Sequence, residues 1–165
     1  RLGRGSVVEI VLPIRVDESW GERPPAEPEE PRDGQGSVAG MRVLLVEDNQ
    51  INCEIVEYIL QDAGAEVVTA HDGRAAVDAF GASAPGSFDC ILMDLMMPVM
   101  SGYEAARVIR GLERADAGTV PIIALSANAF EEDVALAKDA GMNEHLSKPV
   151  DIRKMFQAMG RLRGR

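Results

Sequence analysis

Residues Phe88 to Pro98 read F-D-C-I-L-M-D-L-M-M-P. Cys90 to Met93 form a short apolar run, and Asp94 follows at once. A run of that length suits a strand covered on both faces, although periodicity alone leaves a buried helical segment open. In an open parallel sheet, ligands lie beyond the carboxyl ends of the strands, so a carboxylate there is aimed at a site. Pro98 stops the chain from continuing as strand or helix and leaves a loop.

Outward from this stretch, apolar runs and turn signals alternate. Val43 to Val46 predicts a strand ending at Glu47 and Asp48. Asp48 or Asn49 can cap the helix that follows, on which Ile51, Ile55, Tyr58 and Ile59 share one face, and Gly64 stops it. Glu66 to Ala70 predicts a second strand, and Gly73 to about Ser83 a second helix with Ala76, Val77 and Phe80 inward. The strand ending at Asp94 is third, followed by a helix from about Gly102 to Arg114. Val120 to Leu125 reads as a fourth strand ending at Ser126, Phe130 to Ala140 as a fourth helix, and Asn143 to Ser147 as a fifth strand before Lys148-Pro149. A last helix runs from Asp151 to about Leu162. Strict strand–helix alternation implies an α/β fold: a parallel sheet covered on both faces, with right-handed crossovers.

The remainder of the chain differs in composition. Residues 1–14 carry G-R-G-S and V-V-E-I-V-L-P-I, one strand without a nearby partner. Residues 17–40 are rich in Pro, Glu and Gly, and such a composition reads as a linker, with Trp20 as a side chain able to dock. The domain division is thus 1–16 as the end of a preceding domain, 17–40 as linker and 41–165 as the folded unit. With 46% hydrophobic and 4% aromatic residues, the core is mainly aliphatic. A formal charge of -10 argues against nucleic acid as a direct partner. Cys53 and Cys90 read as reduced core residues of a cytoplasmic protein. No apolar run is long enough to span a membrane, while the parent protein stays open to membrane anchoring.

Polar residues collect at one rim. The strand ends deliver Glu47 and Asp48, Asp94, Ser126 and Lys148, while His71 and Asp72 fall at the sheet edge. Alone, each acid reads as a solvated group or helix cap, Ser126 as a cap and Lys148 as a surface charge. Their joint occurrence at one rim decides otherwise. Three carboxylates packed together repel, and a divalent cation removes the conflict. Oxygen-only ligands suit Mg2+, which keeps waters beside one or two carboxylates. Lys148 and Ser126 can receive the oxygens of a transferring phosphoryl group, with Asp94 as nucleophile.

On these residues (L-V-E-D-N at 45–49, M-D-L-M-M-P at 93–98, A-L-S-A-N-A at 124–129 and L-S-K-P at 146–149), the chain from 41 to about 163 resembles a receiver, or response-regulator, domain of two-component signalling. The wording is closest to receivers of hybrid sensor histidine kinases, with Ser101 where Asp is common and Ser126 where Thr is common. Ser101, in a loop away from the metal, is expected to matter little. The resemblance implies a flavodoxin-like, doubly wound five-stranded sheet in order 2-1-3-4-5 with five helices. It also implies phosphorylation of Asp94, Mg2+ bound by Asp48, Asp94 and the backbone carbonyl of Met96, and Glu47 assisting through water. The implied partners are a histidine kinase domain as phosphodonor, in cis or trans, and a histidine phosphotransfer protein, with a homodimer open. Read-out is expected on the face of the fourth helix, fifth strand and fifth helix. Met96 and Asn128 are expected to tune phosphate lifetime.

His145 carries two readings: the residue that swings inward on activation in receivers, or a half-exposed strand residue without a switching role. His71 reads as an edge or loop residue, and Met93, Met96, Met97 and Met100 as core and loop filling. Residues 1–14 resemble the closing strand of a histidine-kinase ATP-binding domain. The fragment has no complete ATP site, so kinase activity is expected only of the parent. Two other functions compete: a pseudo-receiver that only docks or dimerises, and a small hydrolase using Asp94, for which no cap insertion is present.

Overall fold

The computed structural model describes residues 38–127 and 131–163. The expectations for residues 1–37, including Trp20, and those for Asn128 and Phe130 lie outside the described residues. The elements alternate as β1 (Arg42–Val46), α1 (Gln50–Asp62), β2 (Glu66–Ala70), α2 (Gly73–Ala82), β3 (Cys90–Asp94), α3 (Gly102–Arg110), β4 (Ile122–Ser126), α4 (Glu131–Asp139), β5 (Glu144–Ser147) and α5 (Ile152–Arg163). All strand pairs are parallel, in the order β2-β1-β3-β4-β5.

The central position of β3 explains its apolar composition. Every residue from Cys90 to Asp94 is buried, because neighbours flank both edges and helices cover both faces. Alternation along the strands splits the core in two. Leu44, Val46, Ile91, Met93, Ile122 and Ala124 pack with Phe80 of α2, Ile109 of α3 and Ala137 of α4. Val43, Leu45, Cys90, Leu92, Ile123 and Leu125 pack with Leu60 of α1 and Met155 and Met159 of α5. Val38 joins the second cluster, three residues ahead of the domain boundary drawn from composition. Burial pushes the Cys90 thiol up to about 12, as suits an unreactive core residue.

Three sequence expectations are corrected. Ile51, Ile55 and Tyr58 of α1 are 68%, 53% and 69% exposed, and the buried face is instead Cys53 and Leu60, with Val56 and Ile59 partly covered. The third helix ends at Arg110, with Gly111 as its C-cap, and does not reach Arg114. The fourth strand begins at Ile122, since Pro121 has no N–H for the ladder, although its carbonyl accepts from Ile91 N at 2.8 Å.

Arg114 turns back from the segment after α3. Its guanidinium lies 4.1 Å above the Phe80 ring, donates to the carbonyls of Phe80, Ser83 and Ala84, and pairs with Asp116 at 2.6 Å. The Asp116 carboxylate also accepts from Gly86 N at 2.7 Å. The Arg114 hydrogen bonds lower the Asp116 pKa from 3.8 to about 2. A carboxylate depressed on folding stabilises above its unfolded pKa and loses that contribution as pH falls through the folded value. Asp116→Asn is therefore expected to remove on the order of 1 kcal/mol at neutral pH, allowing for solvent screening, and to flatten stability between pH 4 and 2 in urea titrations.

Candidate functional site

The β1 backbone sets the first acid. Glu47 follows the last residue of the strand, its N–H bonded to Ala70 O at 3.1 Å, and its side chain is 3% exposed. Glu47 Oε1 accepts from Asn52 Nδ2 at 3.0 Å, and Oε2 accepts from Lys148 Nζ at 2.6 Å. Asn49 caps α1 by accepting from Asn52 N, which settles the choice between Asp48 and Asn49 and leaves the exposed Asp48 carboxylate to face the rim. Asn52 was not read from the sequence as a site residue. It lies five positions beyond Glu47, and no periodicity or motif brings the two together before the α1 cap is known.

Asp94 closes β3. Its Oδ1 accepts from Met96 N at 3.0 Å and its Oδ2 from Lys148 Nζ at 2.7 Å. The Lys148 ammonium therefore bridges two buried carboxylates, from a loop whose N–H groups start with Lys148 N bonded to Ser126 O at 2.7 Å. Burial by itself pushes the Lys148 pKa down, but the hydrogen bonds and charges of Asp94 and Glu47 outweigh it and hold the pKa above the ordinary lysine value. Lys148 stays cationic throughout the physiological range.

Carboxylate oxygens of Glu47, Asp48 and Asp94 lie within 4.8 Å of one another. One ammonium faces three carboxylates, so a negative excess remains. An all-oxygen donor set with that excess fits a hard divalent cation such as Mg2+. Ser126 is buried at the end of β4 and His145 half-buried on β5, and Ser126 Oγ lies 3.0 Å from His145 Nε2. His71, exposed, has Nδ1 3.4 Å from Glu47 O. Met93 is core, Met97 and Met100 pack at its edge, and Met96 is instead exposed.

The loop after Asp94 is clamped by two helix starts. A Cβ on Gly102 would fall 2.1 Å from Asp94 O, and one on Gly73 would fall 2.5 Å from Met100 O. Gly102 N also donates to Leu95 O, and Gly73 N to Met100 O. Between them Val99 adopts φ 66, a left-handed conformation that strains a β-branched residue, with Met100 N bonded to Pro98 O at 2.7 Å across it. Ser101, expected to matter little, is the α3 N-cap: it accepts from Glu104 N while Glu104 accepts from Ser101 N. Its signal, S-G-Y-E, is the capping box at 101–104. Gly102→Ala is expected to cost at least about 2 kcal/mol in denaturant unfolding, because the added methyl meets backbone and not a yielding side chain.

The response regulator receiver domain model matches residues 43–160. The peroxide stress-activated histidine kinase mak1 of Schizosaccharomyces pombe is 40% identical over 118 residues, 71% of this chain and 7% of that protein. Sensor protein GacS of Pseudomonas syringae pv. syringae is 40% identical over 119 residues, 72% of this chain and 13% of that protein. The chain thus spans a small part of the curated relatives it matches. Among solved structures, the receiver domain of sensor histidine kinase PA1611 from Pseudomonas aeruginosa PAO1, with a magnesium ion coordinated in its active-site cleft, is 39% identical at TM-score 0.69 and covers 77% of this chain and 100% of its own. A chain from the co-crystal structure of the Saccharomyces cerevisiae histidine phosphotransfer protein Ypd1 with the receiver domain of Ssk1 is 34% identical at TM-score 0.63, covering 72% and 85%. Among the described residues no helix is long and apolar enough to cross a membrane.

Proposed function

Because this chain belongs to the response regulator receiver domain family, we propose that it accepts a phosphoryl group from phosphohistidine onto Asp94, within a phosphorelay built around a hybrid histidine kinase. The observation that carries this reading is the Lys148 ammonium held at 2.7 Å from Asp94 and 2.6 Å from Glu47, with an Asp48 oxygen beside them. Asp94 attacks phosphorus in line, the P–N bond breaks, and the imidazole of the donor leaves with the bonding pair. Lys148 offsets the charge on the transferring oxygens, and the Ser126 hydroxyl donates to one of them once the group is on Asp94. Met96 N–H orients the carboxylate, and Asn52 holds Glu47. Glu47, Asp48, Asp94 and the Met96 carbonyl are the groups that would hold Mg2+, which supplies charge neutralisation at the phosphoryl oxygens when bound.

Two surfaces fit the expected partners. Ile51, Ile55 and Tyr58 form an exposed apolar strip on α1, next to a cavity of about 510 Å3 lined by Ile55, Val56, Ile59, Pro149 and Ile152 together with Glu47 and Lys148. A helix bearing the donor histidine, from a kinase domain or a histidine phosphotransfer protein, would rest there. Read-out falls on α4, β5 and α5, where Val134 and Leu136 are exposed. In the parent, residues 1–16 would close an ATP-binding domain and 17–40 would link it to this receiver, a cytoplasmic arrangement.

The test is incubation with acetyl phosphate and Mg2+ followed by intact-mass measurement and peptide mapping. One phosphoryl increment on the peptide containing Asp94, together with Mg2+ binding that Asp48→Asn weakens at least about tenfold, is the expected result. A folded protein that takes no increment at any Mg2+ concentration would support the pseudo-receiver, a docking module with the same fold.

A further inference from the structure

α1 and α5 lie on the same side of the sheet, both packed on the core cluster that holds Cys53, Leu60, Met155 and Met159. Each follows a strand of a parallel sheet, so both start at the carboxyl rim and run the same way. Their charges are opposite. α1 carries Glu54, Glu57 and Asp62 and no basic residue, while α5 carries Arg153, Lys154, Arg161 and Arg163 and no acidic one. The charges flank the helix pair. Glu54 and Glu57 line a cavity with Thr69 and His71, on the β2 side of α1. Arg161 pairs with Glu144 of β5, and Lys154, two turns earlier, shares that side of α5. Between the flanks the surface is apolar. Ile55, Val56, Ile59 and Ile152 line the cavity of about 510 Å3 between the helices, and Tyr58 stands beside it, 69% exposed. Gly160 lies as far into α5 (152 to 160) as Tyr58 into α1 (50 to 58). It follows the exposed Arg153 by two turns and leaves the outer side of α5 flat there, at a helix-interior position where glycine costs stability.

We infer that this face joins two copies of the chain in a twofold dimer, with α1 of each protomer against α5 of the other. A twofold interface is self-complementary, so every contact between two different residues occurs twice. With the axis along the helices, their parallel course sets Glu54 of one protomer beside Lys154 of its partner near the helix starts. Further along, Tyr58 of one protomer covers Gly160 of its partner. The apolar groove is then closed from water at the centre and the charges form the rim. Glu54 is already held by Gln50 Nε2 at 2.9 Å, and among the described residues neither Glu54 nor Lys154 is in an ion pair. The formal charge of -10 opposes association of copies, and the separation of acid from base on this face offsets it locally. Helices of this length span about 20 Å, which keeps the interface below the roughly 1,200 Å2 of stable complexes, so association is weak, roughly tens of micromolar. The inference stands apart from the phosphoacceptor reading. Where that reading also holds, partner protomer and donor helix occupy one groove and exclude each other.

The experiment is sedimentation velocity of the whole chain from micromolar to millimolar concentration, with Tyr58→Ala, Glu54→Lys, Lys154→Glu and an equimolar mixture of the two charge reversals. All three side chains are exposed, so each variant is expected to keep the circular dichroism of the unaltered chain. The unaltered chain is expected to show a monomer–dimer equilibrium that Tyr58→Ala weakens at least about tenfold, as for a central aromatic contact. Each charge reversal alone should weaken it roughly tenfold, because like charges then meet twice. The mixture should recover the unaltered affinity, since opposite charges meet again only between unlike copies. A chain that stays monomeric at every concentration overturns the inference and leaves this face to the donor helix. A dimer that neither reversal weakens, or that the mixture does not recover, also overturns it and places the association elsewhere in the chain.

Discussion

Asp94→Asn is expected to take no phosphoryl increment from acetyl phosphate under conditions where the unaltered chain takes one. The amide has no anionic oxygen to attack phosphorus, so acetate cannot be displaced and no acyl phosphate forms. The fold is expected to survive. Asparagine keeps the volume and the carbonyl that accepts from Met96 N, and Lys148 retains Glu47 at 2.6 Å. Removing one of three clustered acids also relieves repulsion, so stability should change by less than about 1 kcal/mol. An increment of unchanged size in the variant would refute the assignment of Asp94, whatever its circular dichroism shows.

Lys148→Ala is expected to act on stability and on chemistry together. Lys148 is the cation shared by Glu47 and Asp94, whose side chains are 3% and 8% exposed. Deleting it leaves two nearly buried carboxylates facing each other with Asp48 beside them. Breaking a fully buried pair costs about 3–5 kcal/mol, and the 22% exposure of Lys148 brings the expectation down to about 2–3 kcal/mol. Millimolar Mg2+ should restore part of that loss, since a divalent ion among the same oxygens replaces the missing charge. Phosphorylation should slow by roughly two orders of magnitude even with Mg2+ present, because no ammonium then meets the transferring oxygens. The measurement is a pair of urea titrations with and without Mg2+, and a time course with acetyl phosphate. Loss of stability without any recovery in Mg2+ would count against a cation at this rim.

Much of the fold was legible because its strands are short apolar runs that end in polar residues. Cys90 to Asp94 and Glu66 to Ala70 stand in the structure as the sequence reads, and the five-strand order follows from the receiver resemblance. The rim acids were legible for the same reason, since Glu47 and Asp94 sit one step beyond an apolar run and Asp48 two. Residues whose roles depend on a neighbouring element were not. Ile51, Ile55 and Tyr58 fit an inward stripe as well as an outward one, and only the α1 cap at Asn49 and the packing of Cys53 and Leu60 decide between them. Asn52 reaches Glu47 only after that cap turns the chain. Arg114 extends the amphipathic pattern of α3, yet its guanidinium is claimed by the Phe80 ring and the end of α2. Ser101 carried a readable capping box that its loop position obscured.

The two glycines that pin the segment after β3 have a consequence for where the molecule can yield. With Gly102 against the Asp94 carbonyl and Gly73 against that of Met100, the acidic margin of the sheet has no slack, and a new group on Asp94 cannot be accommodated by retreat of its own loop. If Asp94 is phosphorylated as proposed, displacement is expected at the opposite margin, with the Ser126 side as the hinge and the acidic side as the anvil.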